Sequence, residues 1–309
     1  MTGGTETIAP ITGGATAHQY LHFEGHPSCP PTRARAPAAP VRPQEYLGLG
    51  DKAVPSEARA FYVELFRAAG LDATHYRDRA LMRRLPACLR ALQCTTIAEA
   101  FERIAGRPWL ARAAASTVLL GVTEFFRDPA VFRFLDDHVL PALPPAPARP
   151  RIWSVACSDG QELYSVALLL AQRRRLGECE LLGTDCRSDA IERAREGCFA
   201  PSESPPTSAP WPDAMPGWDD RREMPAPVRA AIRWKQADVL AGTEPGPWDI
   251  ILCRNLSIYL EPEPAARLWA TLTDQLAPGG YLIVGKADYP SRHLPLRRLA
   301  ASIYRKHLP

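Results

Sequence analysis

RIWSVACSDGQELYSVALLLAQRRR, Arg151 to Arg175, joins a short apolar and β-branched run to an amphipathic helical pattern through a turn with one glycine. A strand that enters a helix through a tight loop is where open α/β sheets place a nucleotide-like ligand. The turn lacks the spaced glycines of a dinucleotide fingerprint. Its polar residues, Ser158, Asp159, Gln161 and Glu162, therefore have to indicate what it holds.

From this stretch onward the pattern alternates. RIWSVAC reads as a strand and ELYSVALLLAQRRR as a helix; ELLGTDC is a strand and DAIERAREG a helix. PWDIILCRNLSIYL contains a strand, PAARLWATLTDQL is a helix and GYLIVGKA a strand. Such alternation predicts an α/β fold with a parallel sheet covered on both faces. FAPSESPPTSAPWPDAMPGWDDRREMPAPVRAAIRW breaks it with Pro, Ser and Trp, and reads as an insertion at about 198–234 rather than a further strand–helix unit.

Before Arg151 the spacing is helical. SEARAFYVELFRAAG, HYRDRALMRRL and TIAEAFERIAG place Gly70 and Gly106 where helices should stop, which predicts a small helical domain over 46–120. LPPAPARP, Leu143 to Pro150, suits a linker because its prolines forbid a helix. The first 45 residues, ending near CPPTRARAPAAPVRP, are too poor in apolar groups to offset chain entropy and read as a flexible leader.

Bulk properties narrow the function. The 309 residues can bury a large core. A net charge of +3, from 37 basic and 34 acidic residues, gives no electrostatic case for nucleic acid. No apolar run reaches the roughly 20 residues a membrane span needs, so no membrane insertion and a cytoplasmic location are expected. The eight cysteines form no CxxC pair and have no His-rich companion; they read as buried thiols, and no metal site is expected.

Three strand ends carry polar groups: Ser158 to Glu162 after the first strand, Asp185 after the second, and Cys253-Arg254-Asn255 further on. Asp185 follows Gly160 by 25 residues, close to the roughly 20-residue spacing at which an acid meets a ribose hydroxyl. A helix start bearing Asp159 and Glu162 repels phosphate. S-adenosylmethionine fits these demands, with a ribose, an ammonium, a sulfonium and no phosphate. The two acids also suit a plain helix start, where negative charge meets the helix dipole favourably.

Read together, LLGVTEFFRDPAVFRFL, WSVACSDGQELYSVAL, LLGTDCRSDAIERAREGCF, WDIILCRNLSIYL, LAPGGYLIVGKAD and SIYRK occur in an order that resembles the CheR-type chemotaxis-receptor methyltransferases, which are protein-glutamate O-methyltransferases. The resemblance covers about Pro55 to Lys306, and its most specific elements are TxFFRD and CRNxxIY at their proper separation. It implies a class I S-adenosylmethionine methyltransferase sheet, Rossmann-like, over 121–309, behind a helical N-terminal domain whose RDRALMRRLPACLRAL looks like the family's basic second helix.

The same resemblance implies the site. Thr123 and Arg127 would lie against the methionine part of the cofactor, where the Arg127 guanidinium can pair bidentately with its carboxylate. Glu162 would accept from the ammonium, Asp185 would bind the ribose, Asp238 and Val239 would flank the adenine, and Cys253 and Arg254 would close over the cofactor. Tyr259 would stand near the reacting methyl. The family usually has Asn where Asp238 stands, and GHSE where this chain has GKAD.

An acceptor carboxylate is already ionised at neutral pH and needs no general base. None of His138, His293 or His307 falls in a strand-end loop assigned to the pocket, which agrees with such an acceptor. The expected partner is a receptor-like protein glutamate facing the stretch Arg77, Arg79, Arg83, Arg84 and Arg90. The alternatives are a small carboxylic metabolite, or a non-catalytic cofactor-binding sensor.

Overall fold

The computed structural model describes residues 55–119, 121, 123–199 and 223–308, all in one compact unit. The stretch read as a leader and most of the stretch read as an insertion lie outside the described residues.

Helices come first: α1 (Ser56–Ala68), α2 (Asp78–Ala91), α3 (Ile97–Ile104) and α4 (Pro108–Val118). Their ends follow local chemistry. Gly70 and Gly106 stand at positive φ after α1 and α3, and the Thr96 hydroxyl accepts from the N–H of Glu99 at 3.1 Å at the start of α3. The periodic pattern distinguished three helices; α4 is a fourth, begun by Pro108 in the first turn, where a missing N–H costs nothing. α5 (Pro129–Phe134) leads toward the sheet.

The sheet has seven strands: β1 (Arg151–Val155), β2 (Glu180–Asp185), β3 (Ile232–Gln236), β4 (Trp248–Cys253), β5 (Leu276–Val284), β6 (Leu296–Ala300) and β7 (Ile303–Lys306), in the order β3-β2-β1-β4-β5-β7-β6. β1 to β5 are parallel, and β7 runs antiparallel between β5 and β6. Helices α6 (Gln161–Gln172), α7 (Ser188–Glu196), α8 (Ala226–Ala230) and α9 (Pro262–Gln275) complete the layers. β3 corrects the sequence reading, since the alternation resumes at Ile232, inside the stretch taken as an insertion. It is a five-residue edge strand whose buried Ile232 and Trp234 alternate with exposed Arg233 and Lys235, too short and too charged to stand out from the prolines before it.

Strand alternation feeds two cores. Trp153, Ile251, Cys253, Leu282 and Val284 join the helical layer and α9 in one apolar cluster; Ile152, Ile250, Leu252 and Ile283 join α6 and α7 in the other. β1 is central, paired with β2 on one side and β4 on the other. The chain leaves β1 toward β2 and returns later on the opposite side, so the carboxyl end of β1 is the switch point where such sheets bind ligands.

Candidate active site

The loop after β1 is built by backbone bonds and tight packing. The N–H of Cys157 donates to the Thr184 carbonyl at 2.9 Å, and the N–H of Ser158 to Oδ2 of Asp185 at 2.9 Å. Gly160 caps α6 at φ 92°, and a Cβ there would sit 2.7 Å from the Trp234 ring, so no other residue fits. Trp234 of β3 thereby fixes the quoted loop, a part the sequence reading did not assign to it.

The TxFFRD segment is anchored by its aromatics. Phe125 packs edge-on against Phe199, Phe126 against Phe132, and the N–H of Phe126 donates to Ser165 Oγ at 2.9 Å. With the rings buried, Thr123 and Arg127 line a cavity of ≈ 220 Å³. The third wall is the loop after β4. Asn255 stands at φ 60°, and buried Asp288 accepts from its N–H at 2.5 Å, from Ser257 Oγ at 2.6 Å and from the N–H of Gly285 at 3.0 Å. Tyr259 is tied to the helical layer, because its carbonyl accepts from the N–H of Arg77 at 2.9 Å.

Six of the expected residues share this cavity: Thr123, Arg127, Glu162, Asp185, Arg254 and Tyr259. Three do not line it. Cys253 is fully buried on the core face, which strand alternation gives it together with Ile251, and burial pushes its thiol up. Val239 packs against the same core. Asp238 turns back on its own loop, Oδ1 accepting from the N–H of Leu240 at 3.0 Å, and burial raises its carboxyl.

The charges form two clusters. Arg254, whose side chain is 2% exposed, donates to Glu162 Oε2 at 3.1 Å, to Asp128 Oδ2 at 2.7 Å and to the Arg127 carbonyl at 2.8 Å. Its Nε, also buried, has no hydrogen-bond partner among the described residues. Glu162 further accepts from Ser154 Oγ at 2.8 Å, and Lys286 reaches Asp128 at 2.5 Å. Burial by itself would raise the Asp128 carboxyl, but the hydrogen bond from Lys286 and the charges of Arg254, Lys286 and Arg127 hold it below its ordinary range. The second cluster pairs Asp185 with Arg187, both about 5% exposed.

Sequence reasoning did not single out Arg187, Tyr76 or Glu124, which also line the cavity, or the clamp made by Asp288. Arg187 stood two residues after an assigned strand-end acid, which was the available signal. Tyr76 reaches the site only through its antiparallel bridge to Leu260, 184 residues away in sequence.

Acids at two neighbouring strand tips, an arginine across from them and no spaced-glycine phosphate loop suit a ligand that combines hydroxyls, an amine, a carboxylate and a cationic sulfur, and S-adenosylmethionine combines all four. A sheet of this order with that pocket at its switch point defines a class I S-adenosylmethionine-dependent methyltransferase. Residues 121–297 match the CheR methyltransferase S-adenosylmethionine-binding domain, and the chain belongs to that family. It is 27% identical to a chemotaxis protein methyltransferase of Listeria innocua over 72% of this chain and 86% of that protein. It is 29% identical to a probable chemotaxis protein methyltransferase of Rhizobium etli over 72% and 89% respectively. Among the described residues no helix is long and apolar enough to cross a membrane, and no group of three or more His, Cys, Asp or Glu side chains is placed to hold a metal.

Proposed function

We propose that this enzyme O-methylates a carboxylate, with a glutamate side chain on a receptor-like protein as the acceptor. The observation that carries the reading is Arg84 of α2. It is half-buried, lines the cavity together with Tyr259, and has no ion pair or hydrogen bond among the described residues. A half-buried guanidinium on the wall of a reaction cavity has its charge available for a carboxylate. Exposed Arg79, Arg83 and Arg90 lie on the same helix and extend the positive charge outward.

The bound cofactor supplies a methyl group on a positively charged sulfur. The chain's own part is placement and exclusion of water. Thr123 and Arg127 would hold the amino-acid end, Glu162 the ammonium and Asp185 the ribose. Arg254 orients Glu162 through their ion pair, and Asp288 fixes the turn that delivers Arg254 and Tyr259. Leu81, Val118 and Leu256 supply apolar wall. No histidine lines the cavity among the described residues, in keeping with an acceptor that needs no proton removed.

The test uses labelled methyl donor, purified enzyme and a receptor cytoplasmic fragment. The expected product releases its label as methanol in alkali, as a methyl ester does, and Arg84→Glu abolishes transfer. Alkali-stable label, or an unchanged rate in Arg84→Glu, would overturn the reading. The small-molecule acceptor draws on the apolar wall of Ala80, Leu81, Val118 and Leu119; transfer to a free carboxylic acid with no protein acceptor present would favour it.

A further inference from the structure

Asp185 is already engaged. Its Oδ1 accepts from the N–H of Arg187 at 2.9 Å and from Arg187 Nε at 3.2 Å, and its Oδ2 accepts from the N–H of Ser158 at 2.9 Å. A carboxylate offers about four accepting positions, so roughly one remains, on Oδ2. The guanidinium that occupies Oδ1 is held at its far side too: Arg187 Nη2 donates to Ser158 Oγ at 2.8 Å, and that hydroxyl donates to the Gly121 carbonyl at 3.3 Å. Arg187, Ser158 and Gly121 all line the cavity beside Asp185.

A ribose presents two neighbouring hydroxyls, and an unencumbered carboxylate takes one on each oxygen. With Oδ1 filled, this one has a single position to give. We propose that Arg187 is a specificity-determining residue: it limits Asp185 to one ribose hydroxyl, so the pocket reads one hydroxyl of the nucleoside and is indifferent to the other at that carboxylate. The proposal rests on Asp185 being the ribose-binding acid of the proposed function. It sets Arg187 as a competitor of the nucleoside for Asp185, so its removal tightens binding.

Calorimetric titration with S-adenosylhomocysteine and its 2′-deoxy and 3′-deoxy forms tests this without any turnover. In the parent protein one deoxy form binds within about threefold of the full ligand and the other at least about tenfold more weakly. In Arg187→Met, which keeps the side chain's reach without its donors, the full ligand binds more tightly and both deoxy forms fall at least about tenfold below it. Ser158→Ala, which releases the far anchor of the guanidinium along with the hydroxyl's bond to Gly121 but leaves the Arg187 side chain in place, shifts the same ratios in the same direction by less, and carries the test if Arg187→Met does not fold. Equal losses for both deoxy forms in the parent, or ratios unchanged in the variants, would overturn the role of Arg187. Asp185→Ala separates the two levels. If it binds S-adenosylhomocysteine as tightly as the parent, the ribose assignment falls and the proposal with it; if it loses binding while the variant ratios stay flat, only Arg187 is misassigned.

Discussion

The helical layer and the loops at the carboxyl edge of the sheet are built by opposite rules. In the layer, α1 and α3 stop at glycines, Thr96 caps α3, and Gln93 is the one described non-glycine residue at positive φ. Around the cavity, Phe126, Asp128, Ala156, Ser158 and Asn255 all adopt positive φ. Buried charge divides the same way: Asp185, Arg187, Arg254 and Asp288 belong to the strand-end loops, and no charged side chain is buried in α1 to α4. Left-handed backbone at a non-glycine residue and buried charge each cost stability. They persist here because the two apolar cores on either face of the sheet hold the loops in place. The difference teaches where this chain gives up local stability to preorganise a site.

Substitutions in each region should behave accordingly. Phe61, fully buried in the layer against Phe101, is expected to cost about 3–5 kcal/mol when changed to Ala. Urea unfolding should record that loss, while cofactor affinity of the folded protein stays within about twofold, since distant sites act independently. A large affinity change would mean that packing deep in the layer is transmitted to the cavity wall that the layer supplies. Arg254→Met should cost a comparable or slightly smaller amount, about 3 kcal/mol, because it leaves the largely covered Glu162 and Asp128 carboxylates without their shared cation. Its pH dependence has a definite sign. The depressed Asp128 carboxyl contributes stability above the ordinary carboxylate range, and this is lost as pH falls through its folded value. Removing Arg254 also removes part of that contribution, so the variant's deficit should shrink between neutral and acid pH; a deficit constant with pH would contradict the ion-pair account.

Two smaller effects test the contrast through its sign. Ala156→Gly relieves a left-handed alanine and should stabilise by about 0.5–1 kcal/mol, whereas Ala100→Gly inside α3 should destabilise by about 1 kcal/mol. Thermal melts that move both in one direction would dissolve the comparison. Asp238→Asn is expected to have the smallest effect, a stabilisation at neutral pH. Burial raises the Asp238 carboxyl, so the folded state resists its ionisation, and the penalty is present above the folded value and absent below the unfolded one. The gain should therefore vanish in acid, and a gain that persists there would refute the burial argument.

Much of the fold could be read in the chain, and part of the site. β1, β2, β4 and β5 announce themselves because strands buried on both faces are nearly continuous apolar runs. β3 and β6 do not, since edge strands with exposed Arg233, Arg297 and Arg298 look like loop. Of the residues that line the cavity, Glu162, Asp185 and Arg254 were traceable because each stands at or just past a strand end, whereas Thr123, Arg127 and Tyr259 came from the family resemblance alone. Cys253 shows the limit of that reasoning: one residue along a strand reverses the side chain's direction, and motif position does not reveal which face is the core.

By itself the sequence determined the alternating sheet, the helical layer before it and the strand tips that bear acids, because periodicity and turn chemistry act within a few residues. Tertiary structure alone decided that Trp234 would wall the Gly160 loop, that Arg254 would join Glu162 to Asp128, and that Arg187 would occupy Asp185. Those pairings depend on directions fixed only when strands far apart in the chain lie side by side, about 5 Å from one another.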